Sequence, residues 1–155
     1  MRCFLKAYGT KFDVDRFLSK SNLRPCEVWH KGDSRLDGRD GGVTKHSGMI
    51  IEVSDNDWDD LDLQIRRAMR FLKRHESEIH RLSSSSTVQA AFLDFGVKRK
   101  SEGLMQGAYL PADLIKHAGR VGVGIRVTAY PFSSGPTGSG RSKIRTTARG
   151  KRIST

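Results

Sequence analysis

The run Gly135-Pro136-Thr137-Gly138-Ser139-Gly140-Arg141-Ser142 comes close to a phosphate-binding loop. A working loop of that kind needs a lysine at the position of Arg141, a helix directly behind it whose N–H groups face phosphate, and a later acid for magnesium. No Asp or Glu follows Ser142, so the run reads as a flexible linker and nucleotide turnover is not expected. Gly119, Gly122 and Gly124 lead from a predicted helix into a predicted strand, the reverse of a dinucleotide site, and read as a cap and turn. His75 and His80 enclose two glutamates in a partial zinc-protease pattern. Their spacing of five separates them by roughly 140° around a helix, whereas two ligands on one face need a spacing of four. Asp33, Asp37 and Asp40 lack the alternating acids and closing glutamate of a calcium loop. Cys3 and Cys26 have His30 and His46 as nominal partners, but nothing local activates either thiol, and both read as small core residues. No catalytic residue, metal or cofactor is expected.

Charge carries more information. Lys plus Arg number 28 against 17 Asp plus Glu, a formal net charge of +11, which favours anionic partners. Residues 133–155 contain Arg141, Lys143, Arg145, Arg149, Lys151 and Arg152 and no acid, behind a stretch of Ser, Gly and Pro. With so few apolar residues that segment cannot offset its ordering entropy, and it reads as a disordered basic tail. A second set, Arg66, Arg70, Lys73, Arg74 and Arg81, recurs at helical spacing away from the apolar positions Leu61, Ile65, Met69 and Leu72. A charged stripe is often only a solvated helix face; paired with the tail it becomes a candidate polyanion contact. Tyr8, Trp29, Trp58, Tyr109 and Tyr130 do not interleave with that stripe, so base stacking is not expected. Asp55, Asp57, Asp59, Asp60 and Asp62 fall on the first turns of the same helix, where the positive end of its dipole favours acids.

The elements that must carry these groups follow from periodicity. At 155 residues there is room for one core, placed in residues 1–132 and followed by the tail at 133–155. Cys3, Leu5 and Ala7 alternate with Arg2, Phe4 and Lys6 as in a strand, and Val14, Phe17 and Leu18 have helical spacing. Asn22 to Pro25 breaks that helix, 27–30 is extended, a glycine-rich loop follows, and 49–53 is a strand expected to pair antiparallel with 27–30. Ser54 or Asp55 is placed to cap a single long amphipathic helix running from Trp58 to Leu82. A strand over 88–97, a helix over 111–118 ended by Gly119, and a strand over 123–130 complete the order. The first six elements match the split βαβ pattern, so the expected fold is α+β: one antiparallel-rich sheet with helices on one face, ferredoxin-like, with an extra helix and strand. Neither a membrane span nor a disulfide framework is present in the pattern, and a cytoplasmic protein is expected.

Asn22-Leu23-Arg24-Pro25, then Lys31-Gly32-Asp33, then Ser47-Gly48 entering a strand that ends Glu52-Val53-Ser54, resemble the front half of the bacterial domain-of-unknown-function family 4279. Tyr109 to Ile115 and the strand ending Ala129-Tyr130-Pro131 resemble its back half. The resemblance covers roughly residues 2 to 132, with Pro25, Lys31, Gly32 and Asp33 as its family-like loop. It departs at Met49, where a tryptophan is usual, and the tail lies outside it. It implies a small α+β domain and supplies no activity. The leading expectation is therefore a non-enzymatic binding module that engages RNA or DNA. The alternative is an inhibitor or immunity-type protein that masks an acidic surface of a partner protein.

Overall fold

Because side chains on a strand alternate between faces, the pattern of Cys3–Gly9 (β1) sets the whole architecture: Cys3, Leu5 and Ala7 point inward and are buried, while Phe4, Lys6 and Tyr8 point the other way. The computed structural model describes residues 2–34, 42–54, 60–98 and 107–130. After β1 come α1 (Val14–Leu18), β2 (Glu27–Trp29), β3 (Ser47–Glu52), α2 (Leu61–Arg74), α3 (Glu76–Ser83), β4 (Ala90–Lys98), α4 (Ala112–Arg120) and β5 (Gly124–Tyr130).

The sheet order is β2-β3-β1-β4-β5. β2 with β3, β3 with β1, and β1 with β4 pair antiparallel, and β5 adds to β4 in parallel. The expected α+β sheet is present, its first four strands are compatible with a split βαβ arrangement, and α4 supplies the crossover that a parallel neighbour requires. Leu5 stands opposite Ile51 on one side and Leu93 on the other. These inward residues share one cluster with Val14, Ile65, Ala68, Leu72, Ile79, Leu82, Leu114 and Ala118, so every helix lies on the same face of the sheet.

Three local expectations are corrected. The long helix is two helices, since His75 leaves the helical region (φ −115°, ψ 24°) between α2 and α3. The apolar spacing runs through the break unchanged, because the seven residues from Leu72 to Ile79 return to within about 20° of the same face. The cap of α2 is neither Ser54 nor Asp55: Asp60 accepts from the Leu63 N–H at 2.8 Å. Ser54 is instead buried and accepts from the Cys3 N–H at 3.0 Å, and Asp55, Asp57, Asp59 and Trp58 lie outside the described residues. α4 runs through Gly119 to Arg120, and the left-handed residue that ends it is Gly122 (φ +72°).

The break at His75 aims α3 at the chain before β2. Glu78 accepts from the Asn22 N–H at 2.5 Å and the Ser21 hydroxyl at 3.1 Å, and its other oxygen lies 3.2 Å from His75 Nδ1. Burial pushes the Glu78 carboxyl up, but the hydrogen bonds from Asn22, His75 and Ser21 outweigh it and hold the group below its usual range. A folded-state pKa below the unfolded one contributes stability above the unfolded value, about 4.3, that is lost as pH falls through the folded value. Urea unfolding at pH 7 and pH 3 is therefore expected to show a smaller acid loss for Glu78→Gln than for the wild type.

Gly9 closes β1 where the chain before β4 crosses it. A Cβ there would stand 2.0 Å from the Thr87 carbonyl oxygen, a backbone atom with no rotamer to yield. Gly9→Ala is expected to cost about 1–3 kcal/mol, seen as a lower urea midpoint at unchanged slope.

Candidate nucleic-acid interface

α2 buries Gln64, Ile65, Ala68 and Leu72 against the sheet and thereby turns Arg66, Arg70, Lys73 and Arg74 outward, where all four are exposed. Gln64 fixes that rotation from inside, donating from Nε2 to the Gly96 carbonyl at 2.9 Å. Among the described residues none of the four outward cations has an ion-pair partner. Lys73 and Arg74 also stand in the last turn, where the negative end of the helix dipole favours them. Arg81 does not join the row. It lies on α3 beyond the break, donates to the Lys20 carbonyl at 2.7 Å and sits 4.9 Å over the Phe17 ring, which pins α3 to α1. The six tail cations Arg141, Lys143, Arg145, Arg149, Lys151 and Arg152 lie outside the described residues, as does the expected boundary at 132/133.

The row ends at a cleft of about 460 Å³ lined by Lys73, Arg74, Glu76, Ser77, His80, Arg120 and Val121. Arg120 comes from the last turn of α4 and pairs with Glu76, Nε to Oε1 at 2.9 Å. No sequence spacing links Arg120 to Lys73; the packing of α4 beside α2 brings them together. With Glu76 engaged by Arg120, Lys73 and Arg74 line the cleft as cations that have no ion-pair partner among the described residues, together with Ser77. The cleft is suited to an anionic group such as a phosphate.

The family-like loop builds structure rather than a charged site. The Asp33 carboxylate accepts from the His30 N–H at 2.7 Å, Gly32 takes φ +96°, and the Lys31 N–H donates to Ser47 Oγ at 3.0 Å. His30 Nε2 lies 2.9 Å from Asp15, tying this turn to α1. Gly48 is bare because Trp29 lies on it: a Cβ would be 2.3 Å from Trp29 Cζ2. Lys31-Gly32-Asp33 and Ser47-Gly48 are thus two halves of one turn-and-strand junction. A family model for the domain of unknown function DUF4279 matches residues 1–132. The chain belongs to the DUF4279 family. No curated protein and no solved structure matches it.

In this DUF4279 domain Met49 is wholly buried against the core. Cys3 is a core residue as expected, and burial, with the nearby charge of Asp94, pushes its thiol far up, the opposite of an activated nucleophile. Cys26 corrects the expectation of a second core cysteine: it is exposed beside the Ile50 carbonyl. Among the described residues no three His, Cys, Asp or Glu side chains come close enough to hold a metal; Asp37 and Asp40 lie outside them. Pro25 is half-buried and ends the α1–β2 connection. What the sequence reading missed is on the sheet: Tyr8 and Trp29 do not interleave with the helical cations, but they meet each other's neighbour His46 on the face away from the helices.

Proposed function

We propose that this domain is a small non-enzymatic module that binds a nucleic-acid backbone along the exposed face of α2, with the tail cations adding charge to the same partner. The observation that carries this reading is the row Arg66, Arg70, Lys73 and Arg74, unpaired among the described residues and leading into the Lys73–Arg74–Arg120 cleft. From Arg66 to Arg74 the row extends about 12 Å along the helix, over which a duplex presents roughly seven phosphate charges. No helix of the described residues is long and apolar enough to cross a membrane, and in this reading the protein works in the cytoplasm.

Labelled duplex titrated across a salt series tests it. If four to six cations displace counterions, log K falls against log salt with a slope of roughly −4 to −5 and hardly varies with base sequence. Absence of binding at about 50 mM salt, where the counterion contribution is strong, overturns the reading in favour of an acidic protein surface as the partner, and competition by unrelated nucleic acid separates the two.

A further inference from the structure

The pairing register fixes what lies on the sheet face opposite the helices. Trp29, Gly48 and Tyr8 form one row, Glu27, Ile50, Lys6 and Phe92 the next, and Glu52, Phe4, Asp94 and Arg126 a third. Across these rows the rings follow one another. Trp29 is 6.4 Å from His46, His46 is 4.6 Å from Tyr8, Tyr8 meets Phe92 edge-on at 6.3 Å, and Arg126 lies 4.2 Å over Phe92. We propose that this face is a second binding surface, one that stacks the unpaired bases of a single nucleic-acid strand.

Several observations select that occupant. Planar groups succeed one another from β2 to β5, about 19 Å at the usual strand spacing; Phe92 is buried beneath Arg126, so the groups offered to a short run of bases are the Trp29, His46 and Tyr8 rings and the Arg126 guanidinium. Stacking on successive aromatic rings and guanidinium planes is how sheets hold unpaired bases without reading their sequence. In the middle of the face the acids are compensated, Asp94 by Lys6 at 2.7 Å and Glu52 by Arg2 at 3.2 Å, and the exposed Glu27 lies on the edge strand β2, at the opposite end from Arg126. Arg126 is exposed, stacks on Phe92 and has no carboxylate partner among the described residues, which leaves its guanidinium available to phosphate or to the next base. Finally, His46 Nδ1, on a ring flanked by Tyr8 and Trp29, is buried and has no hydrogen-bond partner among the described residues; a base edge would supply one once the half-buried ring turns toward it.

This surface goes beyond the backbone contact on α2, lies on the other side of the sheet and uses different residues. The test compares a 12-residue oligouridylate with an abasic phosphodiester of the same length, using the full chain and fluorescence anisotropy. Stacking favours the base-bearing strand by about tenfold or more. Arg126→Ala and Tyr8→Leu should each lower that preference at least about threefold while the affinity for the abasic strand changes by less than that. Arg66→Glu/Arg70→Glu/Arg74→Glu should weaken both strands and leave their ratio intact, so failure of the α2 reading is distinguishable from failure of this one. Equal affinity of the wild type for the two strands, no binding of either, or a ratio unmoved by Arg126→Ala overturns the proposal. Arg126 is exposed on the edge strand β5, so its variant decides the matter even where Tyr8→Leu loses stability.

Discussion

Arg66→Glu/Arg70→Glu/Arg74→Glu is expected to reduce duplex affinity by about a hundred- to a thousandfold at 0.1 M salt while leaving the fold unchanged. Each cation that displaces a counterion contributes nearly one unit to the salt slope, which is close to tenfold in affinity at that concentration. Three lost contacts therefore account for the stated range, and three added anions oppose whatever the tail retains. The fold should tolerate the change because these side chains are exposed and the opposite side of α2, with Gln64, Ile65, Ala68 and Leu72, is untouched. Circular dichroism and the urea midpoint check that. A variant that folds normally and binds within threefold of the wild type would show that α2 is a solvated face and nothing more.

Lys6→Met is expected to destabilise the domain by about 3 kcal/mol, because it strands a buried carboxylate. Asp94 sits in β4 with its side chain 6% exposed, bonded to Lys6 Nζ at 2.7 Å and accepting from the Thr128 hydroxyl at 2.6 Å. These three residues join β1, β4 and β5 across the sheet. Removing the ammonium leaves, among the described residues, the Thr128 hydroxyl as the side-chain donor to a charge taken out of water. Replacing both members, Lys6→Met with Asp94→Leu, removes the stranded charge, and at least half of the loss should return. Equilibrium unfolding in urea measures both variants; a single-variant loss under 1 kcal/mol would mean that water reaches Asp94 well enough to make the ion pair a surface one.

How much of this was legible beforehand depends on whether the responsible interaction is local. The alternation Cys3-Leu5-Ala7 and the spacing of Ile65, Ala68 and Leu72 are properties of one segment, and both the strand and the helix stand where they predict. The turn at Lys31-Gly32-Asp33 is local as well, since Asp33 closes on a neighbour three residues away. His75 was hidden because a heptad step across the break preserves the apolar face, so hydrophobic periodicity reports the same pattern for one helix or two. Arg81 is exposed, as a stripe on one continuous helix predicts, but beyond the break it donates to the Lys20 carbonyl and lies over Phe17.

The α+β class, the excess of cations, the departure of each catalytic motif from its pattern in spacing or context, and the outward placement of Arg66, Arg70, Lys73 and Arg74 were all legible in the chain, because they depend on composition or on positions a few residues apart. What the chain did not show, and the packing of its elements did, is that Arg120 lines the same cleft as Lys73, that Lys6 neutralises Asp94, and that Trp29, His46, Tyr8, Phe92 and Arg126 follow one another across a single face. Those neighbours come from different elements, and shifting one strand by a single residue would have sent its contribution to the opposite side of the sheet; register is set by how the whole core packs, which no local pattern in the chain records.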